Sequence, residues 1–266
     1  MTQVFTQNRT QTIDHFAGVV AVYREARTTD REPIEYIRKH VRPMDSIIAA
    51  DIGAGAGRYD LLLFRELGSR LRLQCVDITT EMLAELDGYL NSEGVTGHST
   101  HVASADSLPF SDHALDYIFT FNACHHFDLP AFLADARRTL RVGGRMFIYT
   151  RTRAQNERGS WGQFFPEFAD RETRLYTLGE MASAVAGTPG LELSGIEEFQ
   201  YDRVVDMDRL LFQAENHHYS TFKLYDPDEF ESAMGHFVSN VKASCDSTDR
   251  IPWRDENIMY LIDRIE

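Results

Sequence analysis

The sequence predicts an α/β fold: a mostly parallel sheet with helices on both faces. Three observations carry that prediction. Between Ile47 and about Thr150, short apolar runs alternate with amphipathic stretches, the pattern of right-handed βαβ units. The first run, Ile47–Ile52, leads into glycines at alternate positions, Gly53, Gly55 and Gly57, and then into a helical pattern from Tyr59 to Leu67. A second run, starting at Leu71, ends on the acid Asp77, roughly 20 residues past the last glycine, the usual distance to a ribose-binding acid. Strand, glycine loop and helix in that order let a ligand approach bare backbone at a helix N-terminus.

Ahead of the first strand, Ile13, Phe16, Val19, Val20 and Tyr23 recur at helical spacing and predict a helix from about Thr12 to Arg27. Pro33 opens a second, to about His40, with Ile34 and Ile37 on one face. Such helices either pack on the sheet or close over a ligand. Strands are expected at 47–52, 71–77, 99–103, 115–121 and 144–150, with helices at 58–67, 80–92 and 130–140 and an irregular link around 106–113. Thr79 is the expected cap of the second of these helices. Gly143-Gly144 is the expected stop after the third. Residues 151 to about 190 are aromatic-rich, with Trp161, Phe164, Phe165, Phe168 and Tyr176, and read as an insertion containing a helix at 178–186. Its aromatics form either an apolar acceptor pocket or the core of the insertion itself. Leu191–Ile196 alternates and predicts a sixth strand. Helical patterns at 204–216 and 227–243 precede a closing strand, Asn257–Ile262. It follows a strand-to-strand link and is expected to run antiparallel as the last of seven, with the two preceding helices forming part of a cap.

The chain has 266 residues, 43% hydrophobic and 26% charged, as in an ordinary globular protein. Its formal charge of −14 argues against a nucleic-acid partner, because neutralising phosphates is what holds such complexes together. Arg137, Arg138, Arg141, Arg145, Arg151 and Arg153 cluster in sequence; they make either a local basic patch or a solvated helix end and loop. Cys75, Cys124 and Cys245 are far apart and suggest neither a disulfide framework nor a metal site. No basic region followed by an apolar core opens the chain, and no run approaches a membrane span. The cytoplasm is the default expectation.

The glycine loop does not follow the dinucleotide fingerprint Gly-x-Gly-x-x-Gly, because Arg58 stands where the third glycine belongs. Instead the chain carries Asp51-x-Gly53-x-Gly55-x-Gly57, then Asp77, then Ser104-Ala105-Asp106-Ser107-Leu108-Pro109-Phe110, and then Asn122-Ala123-Cys124-His125-His126-Phe127. This ordered set resembles the class I, Rossmann-like S-adenosylmethionine (SAM) methyltransferases. It is similar to the small-molecule type found in quinone biosynthesis, the methyltransferase type 11 group. The resemblance covers about residues 12–150 and fades after Tyr149, where an acceptor would be chosen.

The resemblance implies a seven-stranded Rossmann-like sheet, with residues 1–44 as an N-terminal helical lid. It makes residues 45–266 a SAM-binding domain with insertions at about 151–177 and 203–245. It implies SAM as cofactor, S-adenosylhomocysteine as product, and a small-molecule acceptor, with a monomer or homodimer and no membrane span. Around the cofactor it places Asp51, Gly53, Ala54, Gly55 and Gly57 at the loop and Asp77, Ile78 and Met82 at the ribose. Ser104, Ala105, Asp106 and Ser107 fall at the adenine, with Asn122 and Tyr23 as further contacts. Asp51 and Asp106 also have structural readings, the first bonding loop amides and the second making a turn. His125 and His126 are the candidates for a general base. Adjacent histidines rarely point at one ion, and no His-x-x-x-His partner exists, so no metal is expected. Two other classes stay open: methylation of RNA or protein, and SAM binding with different chemistry. Methyl transfer from an activated sulfonium mostly needs positioning and exclusion of water. Cofactor residues are therefore more legible than catalytic ones.

Overall fold

The computed structural model describes residues 28–266. The helix expected over 12–27, with its lid role and Tyr23, lies outside the described residues.

The first described helix, α1 (Glu32–His40), starts on Pro33 and buries Ile34 and Ile37. Of the two roles open to it, it takes packing: both isoleucines join the core on one face of the sheet. β1 (Ile47–Ile52) is buried nearly throughout. It is followed by α2 (Asp60–Leu67), β2 (Leu71–Asp77), α3 (Thr80–Ser92), β3 (His98–Val102), β4 (Leu115–Phe121) and α4 (Leu129–Thr139). α2 begins at Asp60 rather than 58, because the glycine loop takes up the intervening turn.

β5 (Leu140–Thr150) begins directly after α4, so Gly143-Gly144 is not the helix stop. The glycines lie within the strand instead, Gly143 at φ 76°, where the register against β4 shifts between Leu115 and Tyr117. After α5 (Arg153–Arg158), α6 (Ser160–Phe164), α7 (Phe168–Arg171) and α8 (Leu178–Ala186) comes β6 (Leu191–Val205). Then follow α9 (Met207–Glu215), α10 (Pro227–Ser244) and β7 (Ile251–Arg264). β6 and β7 are far longer than the alternation at 191–196 and 257–262 suggests. They pair with each other from Leu191↔Arg264 to Val205↔Ile251, which supplies hydrogen bonds that no side-chain pattern advertises.

The seven strands lie in the order β3-β2-β1-β4-β5-β7-β6. β1 to β5 pair in parallel, and β7 runs antiparallel to both neighbours. All seven residues of β4 are buried, and they alternate between the two faces. Tyr117, Phe119 and Phe121 join the core under α1–α3, while Ile118 joins the core under α4 and α8. A third apolar cluster, from Trp161 through Phe222 and Phe237 to Ile251, is separate from the two cores of the sheet, touches the far end of the β6–β7 ribbon, and holds α6, α7, α9 and α10 together as a cap.

Candidate functional site at the C-terminal edge of the sheet

Strand register builds the site. Ile52 pairs with Val76, Asp77 with Val102, and Phe121 with Tyr149. The C-terminal ends of β1 to β5 therefore come level, and the loops leaving them share one edge. The strand order reverses between β1 and β4, the position at which open α/β sheets form their ligand crevice.

Gly53, Gly55 and Gly57 have φ of 75°, 55° and 77°, the left-handed region that a Cβ disfavours. A Cβ on Gly53 would lie 2.5 Å from the Ala123 Cβ, and one on Gly57 2.9 Å from Leu86 Cγ. These two glycines are thus required by packing against the β4 tip and α3, quite apart from any ligand. The N–H groups of Gly53 and Ala54 donate to the Val76 carbonyl at 2.8 and 3.0 Å and tie the loop to β2.

Asp77 is half-buried at the rim of this loop. Its Oδ2 accepts from the Gly55 N–H at 2.9 Å, and its Oδ1 from the Thr79 N–H at 2.9 Å. Thr79 is the N-cap residue of α3 but makes no side-chain cap bond, contrary to expectation; its own N–H is the one that donates to Asp77. Burial pushes the Asp77 pKa up, and the amides of Thr79 and Gly55 draw it back. A carboxylate offers about four acceptor sites, so both oxygens keep a lone pair for further donors. Ile78 is half-buried next to Asp77, and Met82 is buried in the first turn of α3. Beyond β3, the Ser107 N–H donates to the Ser104 carbonyl at 3.1 Å and closes a turn. The turn leaves Ala105 buried, Ser104 and Asp106 half-buried and Ser107 exposed.

Asp51 lies beneath the loop, 2% exposed, with Asp60 of α2 fully buried beside it. The two carboxyl side chains face each other, and Asp51 Oδ1 and Asp60 Oδ2 have no hydrogen-bond partner among the described residues. Burial raises both pKa values, that of Asp60 to about 7 and that of Asp51 well above the usual range, with the Asp60 and Asp77 charges adding to the latter. The Cys75 thiol lies 3.9 Å from Asp60 Oδ1. The pair joins the end of β1 to the start of α2 around the loop, a structural role for Asp51.

Between this edge and the cap lies a cleft open to solvent, with about 860 Å³ of empty space when the solvent at its mouth is included. Asn122 and His125 line it from the β4 side, Tyr59 from the start of α2 and Tyr149 from β5. Asn122 has φ 54°, and its N–H donates to the Tyr149 carbonyl at 2.7 Å. The His125 and His126 rings lie 4.1 Å apart. His126 is not part of the wall; its Nε2 lies 3.5 Å from Ser220 Oγ. The far wall comes from residues without a sequence motif: Asp30, Arg151, Asn156, Trp253, Asp255 and Asn257. β7 extends beyond its pairing with β5, which ends at Thr150↔Ile258, and the overhang carries the last three of these over the edge. Arg151 Nη2 donates to Asp255 Oδ1 at 3.0 Å, and Arg203 Nη2 donates to Asp255 Oδ2 at 3.2 Å and to Asp30 Oδ1 at 2.6 Å. Burial raises the Asp30 pKa against the pull of Arg203.

The arginines clustered in sequence do not form a basic patch. Arg138, Arg141, Arg145, Arg151 and Arg153 each pair with an acid: Asp135, Asp116, Asp263, Asp255 and Glu180. Among the described residues no group of three or more His, Cys, Asp or Glu side chains is arranged to hold a metal ion, and no helix is long and apolar enough to cross a membrane.

Residues 50–148 match the methyltransferase domain family. The chain is 34% identical over 101 residues to the uncharacterized methyltransferase YcgJ of Bacillus subtilis, a stretch that covers 37% of this chain and 38% of that protein. It is 27% identical over 165 residues to a demethylmenaquinone methyltransferase of Protochlamydia amoebophila, 58% of this chain and 67% of that one. The sequence match to YcgJ thus spans less than half of that relative's length. The crystal structure of YcgJ superposes with a TM-score of 0.63 at 17% identity, covering 89% of this chain and 100% of that chain. That of geranyl diphosphate C-methyltransferase from Streptomyces coelicolor, solved with S-adenosylhomocysteine, superposes with a TM-score of 0.54 at 16% identity, over 88% and 75%.

Proposed function

We propose that the protein transfers a methyl group from SAM to a small-molecule acceptor held in the cavity beneath the cap, a reading supported by the match of residues 50–148 to the methyltransferase domain family and by the Rossmann-like strand order. The observation that carries this reading is the level row of strand ends. It sets the glycine loop, Asp77 and the 104–107 turn along one edge, with an open cavity beside them.

When bound, SAM supplies an activated methyl group on a sulfonium. The chain's residues bind, orient and exclude water. Asp77 accepts from the ribose hydroxyls through lone pairs left over from its bonds to Gly55 and Thr79. Ala54 and Gly55 border the methionine tail, with Gly53 and Gly57 fixing the turn. Ile78 and Met82 wall the nucleoside, and Asp106 and the neighbouring backbone meet the adenine amine. Asn122 stands where the cofactor crevice opens into the cavity. Of the two histidines, His125 is the better candidate base, because it lines the cavity and His126 does not. The polar set of cavity residues and the formal charge of −14 both favour a small molecule over a nucleic acid.

Isothermal titration of the purified protein with S-adenosylhomocysteine tests the reading. Saturable binding is expected, with none for NADH. Asp77→Ala should weaken S-adenosylhomocysteine binding at least about tenfold while circular dichroism stays unchanged. A folded Asp77→Ala variant of unaltered affinity removes Asp77 from the site.

A further inference from the structure

Resting on the reading of the cavity as the acceptor chamber, we infer that the acceptor is a compact polar molecule, selected by hydrogen bonds to the side chains of Asn122, Asn156 and Asn257. A long hydrocarbon tail laid against these carboxamides would leave them unpaired and so bind less well.

The aromatic residues that the sequence offers for an apolar pocket are mostly used elsewhere. Phe165, Phe168, Phe222 and Phe237 are at most 2% exposed and pack on one another in the cap core. Trp161 stacks on Phe237 at 4.9 Å and presents only an edge of its surface to the cavity. The chamber wall mixes aromatic side chains, Tyr59, Tyr149, Tyr219 and Trp253 among them, with three carboxamides. Asn156 and Asn257 are 6% and 3% exposed, and Asn122 is half-buried. Neither Asn122 nor Asn156 has a side-chain hydrogen bond among the described residues, and Asn257 has only a long contact, 3.4 Å from its Nδ2 to Asp255 Oδ1. No polar side-chain atom of Asn122 or Asn156 is both fully buried and unpartnered.

Each carboxamide carries two donors and two acceptor lone pairs. Hydrocarbon laid against them would displace water and leave those groups unpaired, weakening binding by roughly tenfold or more per group. A ligand with hydroxyl, amide or amine groups meets them without that loss. The acids of the wall are already paired. Asp255 and Asp30 take Arg151 and Arg203, and Glu172 takes Arg174 and Thr221. Hydrogen bonding, more than a single dominant charge, therefore sets which acceptor enters.

Both tryptophans of the chain, Trp161 and Trp253, line the chamber, so intrinsic fluorescence reports its occupancy. Protein saturated with S-adenosylhomocysteine is titrated with geraniol as the apolar probe, comparing the parent with Asn156→Leu/Asn257→Leu. The double variant is expected to bind geraniol at least tenfold more tightly than the parent, with S-adenosylhomocysteine affinity within threefold. A gain below tenfold overturns the inference, and so does turnover of a prenylated quinol by the parent. If the double variant fails to fold by circular dichroism, Asn156→Leu alone is read the same way with a threefold threshold. Calorimetry separates the two layers. A parent that does not bind S-adenosylhomocysteine indicts the methyltransferase reading, whereas intact binding without the geraniol gain indicts only the acceptor class.

Discussion

Asp51 and Asp60 show how one pair of side chains links the loop to pH. Both are buried, they lie against each other, and one oxygen of each has no hydrogen-bond partner among the described residues. That arrangement holds only while a proton is shared, since two bare carboxylates would repel without water to screen them. Folding raises the pKa of Asp60 to about 7, so the protonated form is the one the fold favours. Its contribution is fully present below the ordinary carboxylate range and is lost as pH rises towards about 7. Asp60→Asn keeps a donor towards Asp51 and removes the charge. The variant should melt close to the parent at pH 5 and roughly 3 °C or more above it at pH 8, about 1 kcal/mol of stability. A gap that does not widen with pH would mean the pair does not share a proton. At Gly53 the prediction is steric. Ala carries a Cβ into the Ala123 methyl at 2.5 Å and sits at φ 75°. Gly53→Ala should therefore cost about 1–3 kcal/mol in chemical denaturation and lose ligand affinity with it.

Among the elements, the cap and the β6–β7 ribbon do what the parallel strands cannot. The parallel strands end level and build the crevice floor. β7 runs back past them because its antiparallel partner β6 continues to Val205, and its overhang becomes a wall. The cap has its own apolar cluster, centred on Trp161, Phe165, Phe222 and Phe237. Phe222 is fully buried and touches four of the surrounding rings edge-on or tilted. Phe222→Ala should cost about 3–5 kcal/mol, and the loss should stay local. Hydrogen exchange should speed up across α6, α7, α9 and α10 while the amides of β1, β2 and β4 keep their protection. Equal loss in both regions would show the cap and sheet to be one cooperative unit.

Across the whole molecule, the sheet and the N-terminal approach meet at Asp255. It receives Arg151 from the end of β5 and Arg203 from β6, and Arg203 also holds Asp30. Arg151 and Asp255 side chains are only 13% and 9% exposed. Removing one member of such a buried cluster strands the other charges. Asp255→Ala should thus lower stability by about 3–5 kcal/mol, while Asp255→Asn, which keeps two acceptor and donor sites, should cost less. Equilibrium denaturation of the two variants checks this, and equal small losses would mean water already screens the cluster.

The sequence by itself determined the parallel half of the sheet and the candidate cofactor edge, because both are written in local chemistry. An apolar run, three glycines and a following helix occupy adjacent positions from Ile47 to Leu67, and Asp77 ends the next strand. Their proximity follows from one βαβ step. Gly143-Gly144 misled for the same reason: a local stop signal was read where long-range pairing carries the chain straight from α4 into β5. Only the tertiary structure decided the chamber. Asp30, Asn156, Arg203, Asp255 and Asn257 are scattered over more than 200 positions, and no spacing relates them. Antiparallel pairing of β7 with β6 carries Asp255 and Asn257 over the edge beside Arg203, α5 brings Asn156 to the same wall, and Arg203 reaches Asp30 across the chain. Contacts made by register between distant strands leave no periodic trace along a single sequence, whereas contacts made within one turn do.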